Sequence, residues 1–199
     1  MKKLIHILLT AACITTVASA NAQAQWHCYD FDQAADTYYT VGDVVVTPYA
    51  TITIEPYSIN GTPATSEVRH AQLASSMIAG GNVPEMELKL VSVRVVPTLP
   101  ITEMRTRLAQ NISPTGGFAY SHISVNDDIF ETPNGFEAMN GIALDDAAVG
   151  TADVSATMTP VVGGNWLSGT LEIQATQGVI ESFTLGGHTW RIDDMCFIL

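Results

Sequence analysis

IESFTLGGHTWRIDDMCF, residues Ile180 to Phe197, decides the fold. Apolar and polar residues alternate on both sides of Gly186-Gly187, and a period of two is the pattern of a half-buried strand. A Gly-Gly pair between two such runs predicts a two-residue hairpin, because the turns that match strand twist need backbone angles that glycine adopts without strain. Such a loop puts Phe183 across from Trp190. The second run ends in Cys196. Once the N-terminal leader and its Cys13 are set aside, Cys28 is the one other cysteine. We expect the last strand to lie beside the first, with a disulfide between Cys28 and Cys196.

Residues 1–24 are read as that leader, a secretory signal peptide. Lys2-Lys3 opens it, Leu4 to Val17 is its apolar core, and overlapping small-x-small sites run from Ala18 to Ala24. The apolar stretch is too short for a membrane span. Lipidation at Cys13 is the rival, but Leu9 stands one place too far from the cysteine for a good lipobox. Residues 25–199 are then one exported domain, secreted or periplasmic, of a size that supports one core. Two cysteines in an oxidising compartment are expected to pair. Closing so long a loop is worth about 4–5 kcal/mol in the chain-entropy account.

Without Lys2 and Lys3, basic residues fall from 8 to 6 against 20 acidic ones, a net charge of about −14. That balance argues against nucleic acid and anionic membranes as partners. It suits calcium, cationic partners or a plain solvated surface.

Outward from the deciding stretch, the chain reads as short strands separated by turns. Trp26 to Asp32 alternates, with Cys28, Asp30 and Asp32 on one face. Val44–Val46, Thr51–Ile54, Met86–Val96, Glu103–Leu108, Ala119–Val125, Val154–Val162 and Trp166–Ala175 are further strands. In Glu103–Leu108 the alternation sets Arg105 and Arg107 on the outward face. Asn60-Gly61, Gly116-Gly117, Asn134-Gly135 and Asn140-Gly141 mark turns. One helix is expected over Ala64–Ile78, where Val68, Leu73 and Met77 recur near helical spacing, Ser66 caps and Gly80-Gly81 stops it. Eight to ten such strands make an antiparallel β-sandwich or barrel. An outer-membrane barrel fits less well, since a disulfide-clamped strand pair suits a soluble fold.

If Cys28 faces Cys196 on antiparallel strands, Asp30 falls opposite Asp194, with Asp32 nearby. Strict alternation would put Trp190, Ile192, Asp194 and Cys196 on one face. Like charges directly opposite are destabilising. A shared proton, an arginine or a hard cation must compensate.

The opening Cys28-Tyr29-Asp30-Phe31-Asp32 and the closing Arg191-Ile192-Asp193-Asp194-Met195-Cys196 resemble the first and last strands of galactose-binding-like jelly rolls, a group that includes carbohydrate-binding modules. The resemblance covers the two ends only. It implies a jelly-roll sandwich, a glycan ligand, and a structural calcium between the ends held by Asp30 or Asp32 with Asp193 or Asp194.

A glycan site needs aromatic rings to stack on sugars and a few polar groups to orient them. Trp166, at a loop–strand junction after Gly163-Gly164-Asn165, is the leading candidate, with Tyr49, Tyr57 and Tyr120 behind it. Trp26 and Trp190 are expected in the core. Arg105 and Arg107 could hold an acidic sugar. For catalysis there is no Gly-x-Ser-x-Gly and no His-Glu-x-x-His, and His27, His70, His122 and His188 are scattered. A carboxylate pair assembled by the fold, drawn from acids such as Asp127, Asp128, Asp145, Asp146 and Asp153, is the one catalytic route left open. The expectation is a non-catalytic module that recognises extracellular or surface carbohydrate. Its rival is a structural or adhesive envelope protein acting through protein contacts, self-association included.

Overall fold

The computed structural model describes residues 25–31, 38–59, 62–63, 70–74, 78–80, 84–111, 120–146, 150–160 and 165–199. The expected signal peptide, Asp32, the expected turns at Asn60-Gly61 and Gly116-Gly117, and Ser66 and Val68 of the expected helix lie outside them. The strands in chain order are β1 (Trp26–Tyr29), β2 (Tyr38–Tyr39), β3 (Val44–Val46), β4 (Ala50–Pro56), β5 (Ser58–Ile59), β6 (Thr62–Pro63), β7 (His70–Ala74) and β8 (Glu85–Pro97). They continue as β9 (Glu103–Asn111), β10 (Ser121–Val125), β11 (Asp128–Thr132), β12 (Ile142–Asp146), β13 (Gly150–Pro160), β14 (Trp166–Ala175) and β15 (Phe183–Ile198).

The fold is an all-β antiparallel sandwich. Its main path runs β12-β13-β14-β9-β15-β8-β4-β3, and β5 pairs with β6 apart from it. The two longest strands hold the layers together by changing neighbours along their length. One edge of β15 pairs with β10 and then β9, and the other with β8 and then β1. The second edge of β8 pairs with β4 and then β7.

The final hairpin is not formed. Gly186-Gly187 lies inside the single strand β15, so Phe183 pairs with Val95 and Val125, while Trp190 pairs with Leu88 and Gln110. The glycines serve close approach instead of reversal. A Cβ on Gly186 would sit 2.8 Å from Ser92 Cα, and one on Gly187 would sit 2.6 Å from the Tyr120 carbonyl.

Nor does alternation run unbroken along β15. Phe183 and Leu185, then Trp190 and Ile192, then Met195 and Phe197 all face the core, none more than 1% exposed. The inward parity therefore changes twice. The second change is a bulge between Asp193 and Cys196, with Asp194 in the left-handed region at φ 46°. An extra residue in one strand shifts every later side chain to the opposite face. Strand β8 does the same at Leu90, φ 55°, so that Met86 and Leu88 are followed inward by Val91, Val93 and Val95. Ile52, Ile54, Leu108, Ile123, Leu171 and Ile173 complete the centre of the core. Each such side chain is worth about 1.5–3 kcal/mol when fully buried.

The helix expected over Ala64–Ile78 is corrected at its centre, where His70–Ala74 is strand β7 between β2 and β8. The backbone edge at Glu85–Lys89 offers five ladder partners there, and that tertiary pairing overrides a weak helical spacing. The one helical turn among the described residues is 3₁₀, Phe136–Met139, just after the Asn134-Gly135 turn. The tightest hairpin joins β10 to β11 through Asn126-Asp127, both at positive φ (49° and 72°), as the turn type suited to strand twist requires. Asn126 also straps the turn to the chain entering β15, donating to the Val179 carbonyl and accepting from the Glu181 N–H.

The ends meet as expected. Trp26 pairs with Ile198, Cys28 with Cys196 and Tyr29 with Met195, and the disulfide joins Cys28 to Cys196 across 168 residues of sequence.

Candidate functional site

The bulge at Asp194 builds the site. It returns Met195 and Phe197 to the core and leaves Asp194 and Cys196 on the outward face, so Asp194 does not share a face with Trp190 and Ile192. The β1 ladder ends at Tyr29, one residue short of Asp30. Asp194 is compensated by an arginine, as Arg107 Nε lies 2.7 Å from its Oδ2. Asp193 is fully buried and its Oδ1 accepts the Asp194 N–H. The two neighbouring acids thus have separate roles, and no group of three His, Cys, Asp or Glu side chains among the described residues is placed to hold a metal.

Around Asp194 four strands contribute to one shallow groove of about 500 Å³, lined by Cys28, Arg105, Arg107, Thr170, Glu172 and Cys196. The ladder explains the grouping. Glu172 pairs with Arg105, Arg105 with Cys196, and Cys196 with Cys28, so one row crosses β14, β9, β15 and β1. Thr170 and Arg107 form the next row. Beneath, Thr106 turns inward and donates to the Asp193 carbonyl, which holds β9 to the bulge.

The two arginines differ in what already engages them. Arg107 is held by Asp194 and donates to the Gly80 carbonyl. The Arg105 guanidinium carbon sits over the Trp26 ring, 4.3 Å from its centroid, and among the described residues no carboxylate oxygen comes within 4 Å of it. A guanidinium held over an indole face has N–H donors that the ring does not use, and its planar fork is the shape that takes a carboxylate in two parallel hydrogen bonds. Both cysteines are in the disulfide, so neither offers a thiolate.

The sequence placed these residues unevenly. Arg105 and Arg107 face outward as their alternation implies. Trp26, expected in the core, is half-buried on the groove side as the platform under Arg105. Trp26 shares a face with Cys28, and the bulge at Asp194 turns that face from the core to the groove. Trp166 opens β14 outside the groove, with Arg191 over its ring at 5.1 Å. Arg191 is in turn bound to Glu87, which also pairs with Lys89 at 2.6 Å. Tyr57 is 1% exposed and offers no face to a sugar; burial raises its pKa, with Glu131 and Tyr120 adding to the effect. Tyr120 is partly buried where β10 begins, its carbonyl accepting the His188 N–H. Tyr49 packs against the core beside His27. Trp190 is core, as expected.

The chain matches no protein-family model, no curated protein and no solved structure.

Proposed function

We propose that this chain is an exported, non-catalytic binding module of jelly-roll type that recognises extracellular carbohydrate, and that its groove selects saccharides bearing a carboxylate. The observation that carries this reading is Arg105, a guanidinium oriented by Trp26 and left with its donors open in a groove. A uronate carboxylate would take those donors, while ring hydroxyls reach Thr170 and Glu172 on the neighbouring strand. Glu172 and Asp194 offset the arginine pair, so the groove is not a general polyanion trap. The chain's overall negative charge disfavours acidic ligands at long range, but beyond about 8 Å that field is screened at physiological salt, and local contacts decide.

The test is a glycan array of the oxidised protein that sets uronate-rich polysaccharides against neutral ones. Binding to uronates that weakens with salt and disappears in Arg105→Ala supports the proposal. Equal binding by the wild type and Arg105→Ala refutes it.

One observation favours a structural, self-associating role instead. Strand β3 ends the main path, and its Val44 and Val46 are 53% and 78% exposed. An exposed apolar edge strand is a template for strand addition. A mass in light scattering that rises with concentration, and falls to monomer in Val46→Lys, would support that reading.

A further inference from the structure

The disulfide that closes the fold is also a wall of the groove, and its two cysteines are unequally placed. Cys196 lies within β15, between β1 and β9, and is 4% exposed. Cys28 stands on β1 and is exposed. Among the described residues β1 pairs with β15 alone, so Cys28 sits on an edge strand held by a four-residue ladder and one covalent bond. A disulfide that solvent reaches is open to thiol–disulfide exchange, whose rate depends on access to the sulfur attacked and on the leaving thiolate.

Arg105 adds selectivity. Its backbone is opposite Cys196 on β9, while its guanidinium ends over Trp26 on β1. The side chain therefore crosses β15 and brings its charge to the strand of Cys28. Trp26 and Cys28 are two residues apart on one face, roughly 7 Å along the strand. A thiol that carries its carboxylate two or three carbons from the sulfur can bridge such a span. The acids of the groove are Asp194, held by Arg107, and Glu172, the cross-strand neighbour of Arg105.

We propose that the Cys28–Cys196 disulfide is a modification site, opened at Cys28 by a carboxylate-bearing thiol that Arg105 holds. The thiolate attacks Cys28 Sγ and a new S–S bond forms there. The Cys28–Cys196 bond breaks, and its electron pair leaves on Cys196 Sγ, which takes a proton from water. One disulfide replaces another, so this step needs no oxidant or reductant besides the thiol. The Asp194 carbonyl oxygen, 3.4 Å from Cys196 Sγ, is in place to accept from the new thiol. A second thiolate at the mixed disulfide frees Cys28; the protein is then reduced and two thiols are oxidised to their own disulfide. With the bond gone β1 rests on its short ladder, and a short edge strand opens at low free-energy cost. Trp26 then leaves Arg105, and the groove loses its platform. The consequence for saccharides rests on the function proposed above; the exchange itself does not.

The test compares 3-mercaptopropionate, 2-mercaptoethanol and cysteamine on the oxidised protein. Rates are taken per thiolate, free cysteines are trapped with N-ethylmaleimide, and the peptides are weighed by mass spectrometry. The strongly negative chain by itself favours the cation, so net charge predicts cysteamine fastest and mercaptopropionate slowest. With Arg105 as the docking group, mercaptopropionate should instead react about tenfold faster than mercaptoethanol, the low end for a hydrogen bond to a charged group, and the added mass should fall on Cys28. That ratio should drop to one or below in Arg105→Ala and in Arg105→Gln. Because a ratio is read, a variant that loosens β1 and speeds every thiol does not obscure the result. In reduced wild type the amides of Trp26–Tyr29 should exchange hydrogen faster while those of β8 stay protected. Rates in the order set by net charge, or an anion preference that survives loss of Arg105, overturn the proposal. So does added mass on Cys196, or no exchange with any thiol in folded protein. Amides of β1 as protected after reduction as before overturn the release of the groove. No saccharide is present, so failure here leaves the uronate reading to its own array, and failure of that array leaves the exchange standing.

Discussion

Replacing Cys28 and Cys196 together by serine tests the closure of the fold. The disulfide spans 168 residues, nearly the whole described chain. In the chain-entropy account, removing a cross-link over a loop of that length frees about 5 kcal/mol of unfolded-state entropy, while native disulfides of small exported domains are worth about 2–5 kcal/mol when removed. For a domain of this size each kcal/mol corresponds to about 2–4 °C in Tm, so the double variant should melt roughly 5–20 °C lower. Part of the clamp persists without the bond, because β1 keeps its four-residue ladder to β15. That favours the lower half of the range. The assay is scanning calorimetry of the wild type, oxidised and reduced, beside the double variant. Reduced wild type and the variant should coincide. A variant melting within about 2 °C of the oxidised protein would refute the claim that unfolded-state constraint stabilises this domain. Because Cys28 anchors the strand that carries Trp26, the same variant should also lose the ordered stacking of Arg105, seen as a changed indole fluorescence.

Gly187→Ala should destabilise the protein by about 1–3 kcal/mol in chemical denaturation, the usual range for overpacking, since the methyl would meet the Tyr120 carbonyl and the Trp190 ring. Asp194→Ala should lower stability by no more than about 1 kcal/mol, because its partner Arg107 is half-exposed and the pair is screened by solvent; a larger loss would show that the bulge itself depends on the carboxylate. Burial lowers the pKa of His122 below the ordinary 6.5, an effect that Glu131 partly offsets. Below 6.5 the unfolded chain therefore takes up a proton that the folded one resists, so stability should be full above that pH and decline as pH falls through it toward the folded value. Urea midpoints measured across that window should show the decline in the wild type and a flatter profile in His122→Asn.

How much of this was legible in the sequence differs from segment to segment. Alternation in Glu103–Leu108 was enough to put Arg105 and Arg107 outward, because a period of two leaves only two faces to choose between. The pairing of Cys28 with Cys196 was legible too; the register assumed from it holds from Trp26 to Tyr29 and stops before the expected Asp30–Asp194 pair. Trp26 was misplaced because strict alternation set Cys196, and with it the face of Cys28 and Trp26, on the apolar side with Trp190, and the bulge at Asp194 reverses that side. Gly186-Gly187 was misplaced because glycine serves a tight turn and a close approach equally well, and no local signal separates the two. His70–Ala74 went to a strand because the edge that pairs with it, Glu85–Lys89, is distant enough to be invisible to local propensity.

The sequence by itself determined the class of the fold and the closure of its ends, since composition, period and cysteine count are local or countable properties. Tertiary structure alone decided where the alternation breaks. The bulge at Asp194 and the phase change at Leu90 exist because core packing on both sides of them outweighs a strained residue of about 1 kcal/mol or more. The bulge puts Asp194 beside Arg107. The groove at Arg105 therefore arises from ladder register across strands far apart in sequence, which local sequence pattern does not encode.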